Sequence, residues 1–309
     1  MASSTDRSAT PLRFYPALSS ALGVRLWVKH DDEIHGAGGG NKVRKLRAIL
    51  AEGEKYSYNA LVTAGGASSN HVRAAALLAA AKGWRARILI HESEPELWPA
   101  NLRLAQLASA EISFCDRAVV AEGMDTAMEG LRQAGLRPLY IWGGGHTPAG
   151  GCAYRDATIE LADQCEAENV NPDFIVLASG TGTTQGGLQA GAAAALPQTN
   201  VSRISVAHEQ ATGVQRVQES LRMINAEEVG QVEFYDSFLA GGYGRSNSEQ
   251  AETIRWAAGT EGLLLDPIYT GKAFHGLRSL INAGRIGLGS TVVFWHTGGI
   301  MNLVASDLC

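Results

Sequence analysis

Cysteines and long apolar stretches are scarce in this sequence, and each scarcity excludes a class of protein. The 309 residues include four cysteines, Cys115, Cys152, Cys165 and Cys309. Their wide separation fits neither a disulfide framework nor a zinc site, so we expect reduced thiols packed in the interior. No stretch reaches the roughly 20 apolar residues of a membrane span. The first residues, MASSTDRSATPLRFYP, lack the layout of a signal peptide, and we expect a cytoplasmic protein.

An excess of basic charge is also absent. The chain has 26 lysines and arginines against 31 aspartates and glutamates, which gives a net charge of -5. Such a balance offers no electrostatic surface for nucleic acid or for an anionic membrane. The eight histidines have no metal-ligand spacing and the motif GxSxG does not occur, so neither a metal site nor a serine hydrolase is predicted. We therefore expect a globular protein of one or two domains that binds a small molecule.

What the sequence does contain is an alternation of short apolar runs with longer amphipathic segments. The runs predict strands at Val24–His30, Ala60–Ala64, Arg87–His91, Glu111–Cys115, Leu139–Trp142, Phe174–Ala178, Arg203–Val206, Val232–Tyr235 and Val292–His296. The segments predict helices such as Asn41–Glu54, Asn70–Lys82, Met124–Ala134, Ala153–Glu168, Thr184–Ala195, Gly213–Met223 and Ser248–Ala258. Repeated strand-then-helix units favour a parallel sheet covered by helices on both faces, with ligands at the carboxyl ends of the strands.

One predicted strand ends in the motif ASGTGTTQGG, which supplies Gly180, Thr181, Gly182, Thr183 and Thr184 at the start of a helix. Free backbone amides at a helix start bind anions, and we expect a phosphate group there. The motif fits neither a Walker A loop nor a dinucleotide-binding loop. An ordinary glycine-threonine turn is the alternative.

A second strand is followed by SSNHVR, which places Ser68, Ser69, Asn70 and His71 at the start of a helix. Capping a helix needs one polar residue, and this segment has four. The amides of a helix N-terminus also bind carboxylates, so we expect these side chains to face the carboxylate of a substrate.

Lys42 lies in the motif GGGNKVRKL, close behind three glycines at a predicted helix start, where positive charge is unfavourable. A partly desolvated amine near positive potential has a lowered pKa and becomes a nucleophile that can form a Schiff base. Pyridoxal phosphate carries both an aldehyde and a phosphate, so it fits this lysine and the anion site together. Arg44 and Lys45 are rivals that should reach solvent more easily. A solvated surface residue is the alternative for Lys42.

Three further residues extend this interpretation. Thr297 follows an apolar strand in the motif HTGG, where its hydroxyl can bond a buried ring nitrogen. A neutral partner makes the ring a weaker electron sink and favours rapid expulsion of a β leaving group. Tyr243 in GGYGRSN and Tyr269 in LDPIYTGKA lie in loops where a phenol can meet a substrate. A strand-end turn and core or rim tyrosines are the alternatives.

Six motifs together resemble a known family in order and spacing: GGGNKVRKL, SSNH, SGTGTTQGG, GYGRSN, LLDPIYTGKA and HTGG. It is the family of pyridoxal-phosphate enzymes that includes D-cysteine desulfhydrase and 1-aminocyclopropane-1-carboxylate deaminase. The resemblance covers nearly the whole chain. It implies the tryptophan-synthase β-like fold, or fold type II, with two open, twisted, mostly parallel α/β sheets flanked by helices. It also implies a large cofactor-binding domain of residues 1–49 and 149–309 and a small inserted domain of residues 50–148.

The resemblance further implies how the cofactor is bound. Lys42 is then the Schiff-base lysine, and Asn70 is the partner of the cofactor's ring hydroxyl. Residues 180–184 form the phosphate loop. Thr297 lies at the position where family members contact the pyridine nitrogen of the cofactor.

On the substrate side, the resemblance makes Ser69 an active-site serine and matches Tyr243 and Tyr269 to two substrate-side tyrosines. The cyclopropane deaminases have glutamate and leucine at the positions of Thr270 and Thr297, whereas the desulfhydrases have small hydroxyl residues there. This difference implies β-elimination from a cysteine-like amino acid.

The expected reaction converts D-cysteine to pyruvate, hydrogen sulfide and ammonia, with Lys42 as the leading candidate to remove the α proton. The alternatives are elimination from another β-substituted alanine such as L-cysteate, ring opening of the cyclopropane amino acid, and a binding protein for pyridoxal phosphate or amino acids without turnover. We expect a small amino acid as substrate and a homodimer as the assembly.

Overall fold

The alternating segments form two sheets flanked by helices in a computed structural model that describes residues 9–226, 229 and 232–308. The strands are β1 (Leu12–Phe14), β2 (Arg25–His30), β3 (Ala60–Gly65), β4 (Arg85–Ile90), β5 (Glu111–Phe114), β6 (Pro138–Ile141), β7 (Phe174–Ser179), β8 (Asn200–Ser205) and β9 (Thr291–His296). The α-helices are α1 (Pro16–Leu22), α2 (Asn41–Lys55), α3 (Asn70–Ala81), α4 (Ala100–Leu107), α5 (Val120–Gln133), α6 (Pro148–Ala167), α7 (Thr183–Ala195), α8 (Gln210–Met223), α9 (Ser248–Glu261), α10 (Thr270–Asn282) and α11 (Ile300–Val304). Short 3-10 helices span Asp31–Glu33 and Arg117–Val119.

The larger sheet has the strand order β1-β2-β9-β7-β8, and only the edge strand β1 pairs antiparallel. The smaller sheet has the order β5-β4-β3-β6 and is parallel throughout. All four strands of the smaller sheet lie between β2 and β7 along the chain. The arrangement confirms the α/β class with two mostly parallel sheets. The domain boundaries at residues 49/50 and 148/149 stay a prediction.

Burial on both faces explains why the strands of the larger sheet are nearly continuous apolar runs. Strand β9 is buried at every position. Because successive side chains point to opposite faces, Phe294 packs in one core cluster with Phe274, while Trp295 packs in another with Tyr154. Helices therefore cover both faces, and a ligand can approach these strands only from their ends.

The carboxyl ends of the strands meet at one edge of each sheet. In the parallel pair of β2 and β9, His30 lies opposite His296, so the segments that lead to Lys42 and Thr297 leave the sheet side by side. The anion-binding turn follows β7 in the same sheet, and the turn before α3 follows β3 in the smaller one. The fold thus brings the motifs to neighbouring strand ends, as the ligand-binding rule for such sheets requires.

The predicted strand at residues 232–235 is wrong: Tyr235 makes only an isolated bridge to Ile204. The Tyr235 amide donates to the Arg203 carbonyl at 2.8 Å. Two residues earlier, the Glu233 carbonyl accepts a hydrogen bond from the Arg203 guanidinium. A side chain therefore takes the place of a ladder hydrogen bond, and the pairing stops after one residue.

Other differences lie at the ends of elements and in short elements. Helix α6 begins at Pro148, five residues before the predicted start, because Thr147 caps it and accepts from the Gly150 amide at 3.1 Å. Two glycines in its first turns hide this start in the sequence. Elements β1, α1, α4, α10 and α11 were not predicted.

The thiols of Cys115, Cys152 and Cys165 are free, but only Cys165 is buried; the other two are half-buried, contrary to the prediction. Cys309 lies outside the described residues, as do the first eight residues of the N-terminal segment. Among the helices that the structure describes, none has the length and apolarity needed to cross a lipid bilayer.

Candidate active site

The strand ends of the two sheets border a cavity of about 650 Å³. The residues of the sequence motifs that line it are Lys42, Ser69, Asn70, Gly180, Thr181, Gly182, Thr184, Tyr243, Tyr269 and Thr297. Four other predicted site residues, Ser68, His71, Thr183 and Thr270, are not part of this lining. The cavity therefore brings together residues that are as much as 255 positions apart, from Lys42 to Thr297.

The three glycines before Lys42 are required by their backbone conformation and by close contacts. All three have positive φ, and a Cβ on Gly39 would lie 2.1 Å from the Asp32 carbonyl oxygen. A Cβ on Gly40 would lie 2.9 Å from the carbonyl oxygen of Thr297, which also accepts from the Asn41 amide at 3.0 Å. The start of α2 is thereby fixed to the end of β9, with Lys42 and Thr297 on one wall of the cavity.

Lys42 has an amine of reduced basicity. Removal from water lowers the pKa of Lys42 to about 8, since burial disfavours the charged form. A hydrogen bond with Lys45 acts in the opposite direction. A substantial fraction of the amine is therefore neutral near physiological pH, as the sequence argument for a nucleophile requires.

The expectation that Arg44 and Lys45 reach solvent is wrong. Lys45 is fully buried, and its amine donates to the Gly144 carbonyl at 2.5 Å. Arg44 bonds to Asp31 at 2.7 Å and to Glu160 at 2.8 Å. Both side chains extend from α2 into its contact with α6 and the loop before it, so position along the helix did not predict their burial.

The glycine-threonine turn has the geometry of an anion site. Gly182 adopts φ +81° directly before α7, and a Cβ there would lie 2.8 Å from the backbone carbon of Arg216. The first amides of α7 have no partner within the helix and are available to a ligand. Thr184 Oγ1 accepts from Asn41 Nδ2 at 3.2 Å, whereas Thr183 Oγ1 bonds to His146 Nδ1 at 2.7 Å. The turn is therefore tied to the segment of Lys42.

Asn70 presents a hydrogen-bond donor to the cavity. Its Oδ1 accepts from Arg73 Nη1 at 2.8 Å and from Asn101 Nδ2 at 3.2 Å, which leaves its own amide group for a ligand. Arg73 also donates to the carbonyls of Ala37 at 3.0 Å and Gly39 at 3.0 Å. This buried arginine joins the glycine turn to α3, and sequence reasoning missed it. An arginine inside the apolar run NHVRAAALLAAA was the available signal.

Of the other residues in the cap of α3, only Ser69 reaches the cavity. Its Oγ accepts from the His71 amide at 3.2 Å, as a helix cap does. The His71 ring lies behind the cavity, with Nε2 2.8 Å from Thr63 Oγ1. Because the Thr63 hydroxyl donates to the Ile141 carbonyl at 2.7 Å, the His71 Nε2 is the donor in this contact. The structure thus brings Ser69 and Asn70 to the site and keeps Ser68 and His71 away from it.

Tyr243 and Tyr269 share a hydrogen bond between their hydroxyls on the opposite side of the cavity. Tyr269 is positioned by the preceding Asp266, whose Oδ2 accepts from the Tyr269 amide at 3.0 Å. Thr270 Oγ1 donates to the same carboxylate at 2.8 Å, so it supports the turn without facing the cavity. Burial raises the pKa of Tyr269 well above its usual range, and the phenol stays protonated at neutral pH.

Glu92 and Arg117 are charged residues of the cavity that were absent from the sequence argument. Glu92 follows strand β4, and its Oε2 accepts from the Ala67 amide at 3.2 Å. Arg117 comes from the 3-10 helix before α5. Further lining residues that were missed are Asn41, His91, Trp142, His146, Gln185, His208 and Arg216. The strand-end rule could have found both, since His91 ends a predicted strand and Glu92 follows it.

A group of potential metal ligands lies outside the cavity lining. His30, Asp32 and Glu33 place one donor atom each within 4.8 Å of one another. Asp32 is bonded to His30 at 3.0 Å, and Glu33 pairs with Arg13, so these groups already have partners. The absence of a metal stays a prediction.

A half-buried amine of lowered pKa, an anion-binding turn and an oriented amide around one cavity define an α/β enzyme that binds a phosphorylated carbonyl cofactor. These residues fit pyridoxal phosphate, because the amine can react with its aldehyde and the turn can bind its phosphate. The chain belongs to the pyridoxal-phosphate dependent enzyme family, whose sequence model matches residues 4–298. Pyridoxal phosphate is therefore its cofactor, as predicted.

Curated relatives agree with this assignment. D-cysteine desulfhydrase of Klebsiella pneumoniae (strain 342) is 33% identical over 306 residues, covering 96% of this chain and 93% of that protein. D-cysteine desulfhydrase of Salmonella newport (strain SL254) has the same identity and coverage. The resemblance inferred from the six motifs is thus confirmed.

Solved structures agree with the fold. The crystal structure of an ACC deaminase homologue superimposes with a TM-score of 0.85 at 31% identity, covering 95% of this chain and 90% of that chain. A hydrogen sulfide-producing enzyme from Fusobacterium nucleatum gives a TM-score of 0.67 at 18% identity, covering 98% of this chain and 100% of that chain. The second likeness shows the fold alone. Together they confirm the fold type II architecture.

Proposed function

We propose that this chain is a lyase that converts D-cysteine and water to pyruvate, hydrogen sulfide and ammonia. The observation that carries the proposal is the meeting of Lys42, the Ser69 turn and the tyrosine pair in one cavity. It occurs in a chain 33% identical to D-cysteine desulfhydrases over 96% of its length. The proposal therefore combines the chemistry of the site with the substrate of the relatives.

The residues of the anion-binding turn, 180–184, would hold the cofactor's phosphate, and Asn70 would donate to its ring hydroxyl. Thr297 would meet the ring nitrogen with a neutral hydroxyl. When bound, pyridoxal phosphate supplies an aldehyde for the amine and a conjugated ring that withdraws electrons from the α carbon. Lys42 would hold the aldehyde until the substrate amine replaces it. All these groups except Thr183 line the same cavity.

The substrate carboxylate would bind at the turn before α3, where the Ser69 hydroxyl and backbone amides are available. This arrangement directs the α carbon towards Lys42. The Lys42 amine would then take the α proton, since its pKa near 8 leaves part of it neutral at physiological pH.

The departing sulfur needs a proton, and the tyrosine pair can provide it. Tyr269 keeps its proton at neutral pH because burial raises its pKa, and Tyr243 is bonded to it. In the overall reaction the Cα–H and Cβ–S bonds of the substrate break, and the sulfur leaves as hydrogen sulfide. Hydrolysis of the remaining product then gives ammonia and pyruvate. Of the two phenols, the more buried Tyr269 is proposed as the donor.

An assay with several substrates tests the proposal. The purified enzyme with cofactor should release sulfide and pyruvate in equal amounts from D-cysteine. Sulfite from L-cysteate, or 2-oxobutanoate from the cyclopropane amino acid, in place of sulfide would assign it to another elimination or to ring opening. Tight cofactor binding with no product from any of these would favour the binding protein.

We also propose a homodimer in the cytoplasm. The free thiols of Cys115, Cys152 and Cys165 suit a reducing compartment, and two-fold dimers are the commonest soluble assembly. Light scattering coupled to size-exclusion chromatography should give twice the chain mass of 32.7 kDa.

A further inference from the structure

A buried arginine connects the two segments that would hold neighbouring groups of the cofactor. Arg73 is 1% exposed and lies on α3, one helical turn after Asn70. Its Nη1 donates to Asn70 Oδ1 at 2.8 Å. On its other side the guanidinium donates to the carbonyls of Ala37 and Gly39, both at 3.0 Å. Arg73 thus joins the proposed partner of the ring hydroxyl to the turn that precedes Lys42.

Gly38 shows that the sequence makes room for this arginine. Gly38 has φ +75°, and a Cβ there would lie 2.9 Å from Arg73 Nε and 3.2 Å from Arg73 Cζ. The Gly38 carbonyl also accepts from Arg73 Nη2 at 3.3 Å. The first glycine of GGGNKVRKL therefore accommodates the arginine of SSNHVR, so the two motifs depend on each other.

The guanidinium also decides which way the Asn70 amide faces. An asparagine side chain can present either an oxygen acceptor or an NH₂ donor, whereas a guanidinium has donors only. Asn70 must therefore turn Oδ1 towards Arg73, which leaves Nδ2 for the cavity that Asn70 lines. Asn101 Nδ2 donates to the same oxygen at 3.2 Å. The Asn101 amide can also reverse, and its own direction is held by Arg73 Nη1, which donates to Asn101 Oδ1 at 2.8 Å.

We propose that Arg73 is a positioning residue for the cofactor, which holds the Asn70 amide as a hydrogen-bond donor towards the ring hydroxyl. A donor in that place favours the ionised form of the hydroxyl oxygen, because an anion accepts a hydrogen bond more strongly than a hydroxyl does. Without Arg73 the amides of Asn70 and Asn101 can reverse together, and an acceptor facing the ring favours the protonated form. This inference rests on the proposed contact between Asn70 and the ring hydroxyl.

Absorbance of the bound cofactor tests the proposal without turnover. The visible band of lysine-bound pyridoxal phosphate belongs to the form with an ionised ring oxygen, and a near-ultraviolet band belongs to the protonated form. In Arg73→Met the ratio of the visible to the near-ultraviolet band should fall about tenfold at a fixed pH, which is one unit in the pKa of the ring oxygen. Arg73→Gln should give a similar fall, since its amide can donate or accept and imposes no direction. If Arg73→Met fails to fold, Arg73→Gln alone decides, and an unchanged ratio there would overturn the inference.

Removal of Asn70 shows whether Arg73 acts through it. Asn70→Ala should lower the same ratio by at least about tenfold, and adding Arg73→Gln to Asn70→Ala should lower it no further. Additive losses would show that Arg73 affects the cofactor by another route and would contradict the proposal. An unchanged ratio in Asn70→Ala would remove Asn70 from the ring hydroxyl, and the role of Arg73 with it.

Lys29→Met is the control for loss of a buried cation. Lys29 on β2 is fully buried, and its amine donates to the Thr10 carbonyl at 2.7 Å and to Gln164 Oε1 at 2.6 Å. It lies outside the cavity lining, so the band ratio should stay unchanged. An equal fall in Lys29→Met would show a general effect of replacing a buried cation and would also count against the proposal. All spectra are recorded without substrate, so they decide about Arg73 even if D-cysteine is not converted.

Discussion

The two ends of the cavity are built differently. At the cofactor end, the backbone sets the geometry: Gly39, Gly40 and Gly182 have no room for a side chain, and Lys45 and Arg73 are buried beneath them. At the substrate end, side chains on loops set it. Glu92 and Arg117 are exposed, and Tyr243 is 41% exposed. Related enzymes can therefore share a cofactor and differ in substrate, because the second end changes by single side chains without altering the backbone.

The largest expected effect is at the cofactor end, where removal of the Lys42 amine should abolish most of the activity. Lys42→Ala should reduce kcat by at least about 10³-fold, because Lys42 is the only lysine among the described residues that line the cavity. The variant should still bind pyridoxal phosphate through the anion turn but lose the visible band of the lysine-bound cofactor. Sulfide release and absorbance spectra measure both effects. Lys82→Ala, at a surface lysine paired with Glu54, is the control and should keep normal activity.

At the substrate end, removal of one hydroxyl should have a smaller effect. Tyr269→Phe should lower kcat by about 10²-fold, within the range for loss of a general acid. Tyr243→Phe should cost less, because Tyr243 is more exposed and acts through Tyr269. Steady-state kinetics of both variants and of the double variant test this order. Strictly additive losses would argue against a shared proton donor.

Gly182→Ala should weaken cofactor binding by at least about tenfold, since its Cβ would meet the Arg216 backbone and the left-handed conformation disfavours alanine. Gly135→Ala is matched in backbone, with φ +76°, but nothing lies within 4 Å of the added Cβ. Gly135→Ala should lower the free energy of unfolding by only about 1 kcal/mol. Cofactor titration and thermal unfolding distinguish the two. Equal cofactor affinity in both variants would remove the turn from the phosphate site.

The cofactor end should also respond to pH. Only neutral Lys42 attacks an aldehyde, and its pKa is lowered to about 8, so protonation below that pH removes the nucleophile. Covalent uptake of pyridoxal phosphate should slow about tenfold for each pH unit below 8 and level off above it. Stopped-flow absorbance measures the rate. A rate still rising through pH 10 would indicate an ordinary lysine.

The smallest effect is expected at Arg117. An exposed charge contributes about 0.2 to 1 kcal/mol, so Arg117→Ala should change KM for D-cysteine by less than about fivefold and leave kcat nearly unchanged. A loss of kcat comparable to that of Tyr269→Phe would show that the exposed loop takes part in chemistry. The contrast between a cofactor end set by the backbone and a substrate end set by side chains would then need revision.

The cofactor end was largely predictable because its signals are local. The three glycines before Lys42 and Gly182 in the turn at 180–184 mark backbone that other residues do not readily adopt or fit, and a strand directly precedes that turn. The substrate end was only partly predictable. Tyr243 and Tyr269 were found through their motifs. Glu92 is marked only by its place after a predicted strand, and Arg117 has no distinguishing neighbours in the sequence.

By itself the sequence determined most of the segments that become strands, most of the turns that need glycine and the lysine that follows one of them, because these depend on neighbouring residues. Only the tertiary structure decided that Lys45 and Arg73 are buried, that His71 turns away and that Tyr243 meets Tyr269. Those outcomes depend on desolvation and on partners far along the chain. Residue type and spacing carry no record of how much water a side chain loses on folding, and that loss sets the basicity of the reactive amine.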